Sequence, residues 1–218
     1  MKRITLSIVL LFMAVAVFAQ DGQTTQPQQM KTLFGNSGIR SNGGYGAVST
    51  GYTKIDGLDA ITIGGKGAWL INHQIGIGLS GTGFLTERRF DTGLSDDYRF
   101  AGGYGGLMFE FIAAPNSPVH LSFSTTVGAG GVSYVRDNHI FDNFDRDPFD
   151  EDTEAFFVVE PGVELELNLL RFMRLGFGVS YRYTSDITLT YNANNQAVAG
   201  KDLLNGLSGG ISLKFGKF

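Results

Sequence analysis

The sequence predicts an all-β fold: an eight-stranded, antiparallel, up-and-down transmembrane β-barrel. Three observations predict it. Apolar and polar residues alternate with period two along most of the chain after residue 42, and helical periodicity is nearly absent. Short and longer links alternate between the strands, the pattern of a barrel with short turns at one end and loops at the other. The polar face of the strands is largely Gly, Ser and Thr, where a water-facing surface would carry Lys, Glu and Arg. Small residues suit a lumen that eight strands leave only just wide enough for side chains.

Composition narrows the class further. Charged residues make up 17% of the 218, against 31 glycines and 18 phenylalanines, which is unusual for a soluble enzyme. Mean hydropathy of +0.03 is too low for a helical membrane protein. The net charge of −4 gives no basic face for nucleic acid. The chain has no cysteine, which removes disulfides, thiol chemistry and thiolate metal sites.

Residues 1–19 read as a signal peptide. Lys2 and Arg3 precede an apolar run from Ile4 to Phe18, and Val17-Phe18-Ala19 fits a cleavage site. Loss of those two positive charges takes the net charge from −4 to −6. Residues 20–41, with QTTQPQQ at 23–29, read as a flexible polar lead-in. The barrel is expected over 42–218, with strands at about 43–54, 59–71, 74–86, 98–112, 119–135, 154–168, 173–185 and 203–217. Links at Asn72-His73, at APNSP (114–118) and at 169–172 are short. The others, 54–59, 87–97, 137–152 and 186–202, are mostly long.

Each strand is expected to turn its apolar side toward lipid. The strand at 43–54 is too Gly-rich for a face to be read. Ile75, Ile77 and Leu79 oppose Gly76, Gly78 and Ser80. In the strand at 98–112 the aromatics change phase. Tyr98, Phe100 and Tyr104 lie on even positions, and Leu107, Phe109 and Phe111 on odd ones. A bulge within GGYGG (102–106) is expected to restore a single outward face. Val119, Leu121, Phe123 and Val127 oppose His120, Ser122, Ser124 and Thr126. Phe157, Val159, Val163, Leu165 and Leu167 oppose Glu160, Glu164, Glu166 and Asn168. Leu175, Phe177, Val179, Tyr181 and Tyr183 oppose Gly176, Gly178, Ser180 and Arg182. Leu207, Ile211, Leu213 and Phe215 oppose Ser208, Gly210, Ser212 and Lys214. Two aromatic belts are expected at the membrane interfaces. One has Trp69, Phe109 and Phe111, and the other Tyr181, Tyr183, Tyr98 and Phe100.

The inward charged set is then Lys66, Glu110, Glu160, Glu164, Glu166, Arg182 and Lys214. Charges in a narrow lumen must pair or draw in water. A plug of salt bridges is expected rather than an open pore, with Glu160 facing Arg182 because both lie at similar distances from the 169–172 turn. His120 and Ser122 share a face, with a spacing similar to the His-x-Ser of outer-membrane lipid A deacylases. Here that face is the lumen, next to a short turn, whereas a lipid hydrolase needs them at the outer leaflet. His73 and His139 are lone loop residues. The link 137–152 carries seven acidic residues interleaved with Phe141, Phe144 and Phe149, without the spacing of a calcium hand. It reads as a solvated loop, as a surface-interaction loop whose carboxylates are bridged to lipopolysaccharide or partners through divalent cations, or as a calcium site. GGKGAW (64–69) and GGYGG do not sit between a strand and a helix, so they are not phosphate loops.

With these features in place, the chain resembles the small outer-membrane β-barrel proteins of the OmpA/OmpX type, over about 42–218. The hairpin GGKGAWLINHQIGIGLSG (64–81) resembles that of Bacteroidota outer-membrane proteins. The resemblance implies an outer-membrane location with both barrel ends periplasmic, and no catalytic residue, metal or cofactor. It implies a non-enzymatic structural or surface-interaction role. A lipid-modifying enzyme or a small channel are the alternatives. The partners implied are outer-membrane lipid, lipopolysaccharide and the barrel-assembly machinery. Phe218 resembles the terminal aromatic that this machinery reads, although it falls on the face opposite Phe215.

Overall fold

The computed structural model describes residues 42–92, 95–136, 153–190 and 197–218. The expected signal peptide, the lead-in and the acidic segment 137–152 lie outside the described residues.

Among the described residues nine strands form in order: β1 (Asn42–Ile55), β2 (Leu58–Ile71), β3 (Ile75–Thr86), β4 (Arg89–Asp91), β5 (Asp96–Ala113), β6 (Val119–Arg136), β7 (Thr153–Leu170), β8 (Met173–Thr184) and β9 (Gly206–Lys217). Eight are long and antiparallel to their neighbours. β4 is a three-residue spur paired only to β5, an element that the sequence pattern does not reveal. The sheet closes because β1 pairs with β9, from Gly44 opposite Lys217 to Thr53 opposite Ser208, while β3 pairs with β5. Closure satisfies the backbone groups that an open sheet would leave bare.

The tight links have local causes. Asp56 and Gly57 both have positive φ (51° and 76°) between the paired residues Ile55 and Leu58. That is a two-residue turn whose twist matches the strands. At the other end Asn72 and His73 also have positive φ, and the Gln74 N–H donates to the Ile71 carbonyl. Asn tolerates this conformation better than most residues.

The long strands run 12 to 18 residues, enough to cross a bilayer, which takes about 9–11. Their outward side is apolar and unburied: Ile63 is 69% exposed, Leu79 64%, Val179 56% and Phe157 75%. A water-soluble protein does not leave a girdle of this kind uncovered. The lumen side carries the polar residues, and Glu160, Glu164 and Glu166 all lie on it. Apolar outside and polar inside is the arrangement of a membrane barrel. Among the described residues no helix is long and apolar enough to cross a membrane.

Three expectations about the strands fail. The ladders of β5 with β3 and with β6 run without a register shift through 102–106, so there is no bulge. Tyr98, Phe100 and Tyr104 therefore stay on the inward face. They are buried and do not join the outer belt, whereas Leu107, Phe109 and Phe111 face outward. The final strand begins at Gly206 rather than 203, because Leu203 and Leu204 turn into the barrel mouth.

Candidate functional site

Among the described residues, the buried polar chemistry of this fold gathers in the lumen, and it is layered. The short-turn end holds an ion-pair network. Lys214, on β9, is fully buried. Its Nζ lies 2.8 Å from Glu110 Oε1 and 2.9 Å from Glu164 Oε2, and it also donates to Glu166 Oε1. Lys66 pairs with Glu164 at 2.8 Å, and Arg174 with Glu166 at 3.3 Å. The remaining oxygens are met by hydroxyls: Tyr45 donates to Glu110 at 2.8 Å, and Ser212 to Glu164. His120 sets Nε2 3.1 Å from Glu166 and Nδ1 3.2 Å from the Ser117 carbonyl.

Three cations (Lys66, Arg174, Lys214) thus face three carboxylates (Glu110, Glu164, Glu166). That balance is what allows so many charges to be taken out of water. Oxygens of the three carboxylates converge within 4.8 Å of one another, as they would around a metal ion. Here the Lys214 ammonium stands among them and serves as a tethered counterion. Glycines make room for the network. A Cβ on Gly176 would collide with Glu164 Oε1 and Ser212 Oγ. Phe218 lies beneath, stacked on Tyr45 with ring centres 5.8 Å apart, and the Arg174 guanidinium sits 3.9 Å from its ring centre.

Above the network is a cavity of about 160 Å³ walled by hydroxyls, among them Ser49, Thr62, Ser80, Thr82, Thr126 and Ser208. It has room for about five waters at roughly 30 Å³ each. Glu160 lines it and accepts from Tyr104 (2.8 Å) and Ser180 (2.7 Å).

The long-loop end is aromatic. Tyr98 stacks on Tyr134 and Phe100 tilts against it, both with ring centres 4.9 Å apart, and Tyr134 donates to Asp91 at 2.9 Å. Phe84, Tyr104, Phe156, Val132 and Val158 complete the wall. The roof comes from the link between β8 and β9, whose Ile187, Leu189, Leu203 and Leu204 are buried against that wall.

All seven sequence-predicted charged residues lie on lumen-facing positions, but they do not form one group. Lys66, Glu110, Glu164, Glu166 and Lys214 come together. The expected Glu160–Arg182 pair does not form. The ladder pairs Val159 with Tyr183 and Gly162 with Ser180, so the two residues stand at one level. Glu160 is nevertheless taken by Tyr104 and Ser180, while Arg182 Nε donates to the Leu204 carbonyl at 2.6 Å. Sequence reasoning missed Arg174 and Tyr45. Arg174 carried a signal, since it is in phase with Gly176, Ser180 and Arg182; Tyr45 sat in a strand too rich in glycine to orient.

No family model matches the sequence, and no curated protein matches it. Among solved structures, the chain is similar to surface protein A (NspA) of Neisseria, at 13% identity and a TM-score of 0.49, covering 81% of this chain and 97% of that one. It is similar to the N-terminal β-barrel domain of OprF of Pseudomonas aeruginosa, at 11% identity, TM-score 0.43, 80% and 96% covered. It is also similar to Ail, the attachment invasion locus protein of Yersinia pestis, in complex with a heparin analogue, at 14% identity, TM-score 0.43, 80% and 97% covered. What the geometry itself defines is a closed, eight-stranded barrel of the outer-membrane type.

Proposed function

We propose that this protein is a non-enzymatic outer-membrane barrel with a sealed lumen, serving a structural or surface-interaction role. The observation that carries the reading is the double closure of the lumen. A charge-balanced network fills the short-turn end, and an aromatic core roofed by the β8–β9 link fills the other. The orientation of His120 and Ser122 also supports it, because both are buried on the lumen face and His120 is held by Glu166 and Ser117. The sequence supports placing contact with lipopolysaccharide or surface partners in the acidic, Phe-bearing segment 137–152, with divalent cations as bridges. It equally supports export by residues 1–19 and assembly by the barrel machinery, with Phe218 as its terminal aromatic. Planar-bilayer recording on pure refolded protein tests the closure. The expected result is no stable unitary conductance; a steady open level would replace this reading with a small channel.

A further inference from the structure

The two ends of the barrel differ in charge. Among the described residues the exposed carboxylates, Asp56, Asp59, Glu87, Asp186 and Asp202, all lie at the long-loop end. At the short-turn end the described Asp and Glu side chains are Glu110, Glu164 and Glu166, each buried in the lumen network. That end nevertheless carries two exposed cations, Arg171 in the β7–β8 turn and Lys217 at the end of β9.

The two cations are neighbours. The Gly216 N–H donates to the Phe172 carbonyl at 2.9 Å, which lays the end of β9 beside the turn, one residue from each cation. The turn is pinned from the next hairpin. The Asn168 N–H donates to the Pro118 carbonyl at 2.8 Å and its Nδ2 to the Ser117 carbonyl at 2.7 Å. A register shift between Asn168 and Leu170 then breaks the strict alternation, so the consecutive residues Leu169 and Leu170 are both exposed, as is Phe172. These side chains continue the apolar band that meets lipid, and on β9 the exposed Phe215 shares its face with Lys217.

An apolar band against lipid, edged by two adjacent cations with no exposed carboxylate beside them, is complementary to one occupant: a lipid whose headgroup is an anionic phosphodiester. We propose that the rim between the β7–β8 turn and β9 is a binding site for an anionic phospholipid of the phosphatidylglycerol kind. Arg171 takes two phosphate oxygens with its planar fork, Lys217 adds a second positive charge, and an acyl chain lies along Phe215. The inference rests on the proposed outer-membrane reading for its leaflet: a short-turn end in the periplasm puts the site among phospholipid rather than lipopolysaccharide.

Trp69, the single tryptophan, serves as the probe. It faces lipid, and the ladders set it level with Lys217 through Gly44. Two strand spacings separate them, about 10 Å at roughly 4.8 Å each. The full chain is refolded in phosphatidylcholine vesicles that hold an equal fraction of either brominated phosphatidylglycerol or brominated phosphatidylcholine, and quenching of Trp69 by the bromines is compared. The anionic lipid is expected to be preferred about 25-fold, about fivefold for each cation at a membrane surface. Arg171→Gln and Lys217→Gln are each expected to cut the preference about fivefold and together to abolish it. Both side chains are exposed, so the variants are expected to fold, which heat-modifiable gel mobility checks. Arg171→Lys is expected to keep more of the preference than Arg171→Gln. Lys54→Gln, which removes an exposed cation from the long-loop end, is expected to leave it unchanged. Excess glycerol phosphate, a headgroup without chains, is expected not to relieve the quenching. Equal quenching by the two lipids, a preference that survives the double variant, or relief by glycerol phosphate overturns the proposal. None of these results bears on the sealed lumen, and an open level in bilayer recording leaves the lipid preference standing.

Discussion

Replacing Lys214 with Met removes the ammonium that stands among Glu110, Glu164 and Glu166 and leaves a chain of similar length. The network then holds two cations against three carboxylates, a net charge of −1 in a place shut off from water. Glu110 suffers most, because its other partner is the Tyr45 hydroxyl. The carboxylate oxygens lie within 4.8 Å of one another. Two unit charges at that distance repel by about 3.5 kcal/mol at an effective dielectric of about 20. In the native protein Lys214 offsets that repulsion, and breaking a buried pair generally costs about 3–5 kcal/mol. The assay is urea unfolding of the refolded barrel in lipid vesicles, followed by heat-modifiable gel mobility and Trp69 fluorescence. Lys214→Met is expected to lower the unfolding free energy by about 3–5 kcal/mol. Adding Glu110→Gln restores equal charge and is expected to recover part of that loss, a coupling that a double-mutant cycle measures. If Lys214→Met unfolds at the native urea concentration, or Glu110→Gln brings no recovery, Lys214 is not the counterion of this cluster.

Two further substitutions probe the wall. Gly176→Ala pushes a methyl into Glu164 and Ser212 and is expected to cost about 1–3 kcal/mol. Gly178→Ala, where the nearest atom to a new Cβ is 3.4 Å away, is expected to be nearly silent in the same unfolding assay. Leu79→Arg puts a charge on the lipid face and is expected to cost about 2–4 kcal/mol, against about 0–1 for the same residue placed at Tyr52, near the rim. Equal costs at the two sites in vesicle-based unfolding would contradict the outward apolar band.

Much of the barrel was legible because its code is short-range. A period-two pattern such as Leu175, Phe177 and Val179 against Gly176, Gly178 and Ser180 fixes which side of a strand meets lipid, and the ladders keep that assignment. The reading slipped where the lumen itself is apolar. Tyr98 and Phe100 suit an interface belt, and Tyr104 shares their phase, but the outer chamber is walled by aromatics, so both faces of β5 are apolar and the pattern loses its contrast. The ion pairs slipped for a different reason. Glu160 bonds Tyr104, 56 residues away across the barrel, and no spacing along one hairpin encodes that choice.

The sequence by itself determined the class of fold, the closure of the sheet and the lumen face of seven of its charges, because backbone hydrogen bonding in lipid admits few solutions and alternation selects among them. Only the tertiary structure decided who pairs with whom inside. In a barrel this narrow, side chains from opposite walls compete for the same few ångströms, so Lys214 meets three carboxylates while Arg182 donates to the Leu204 carbonyl and lies against the Phe84 and Tyr104 rings.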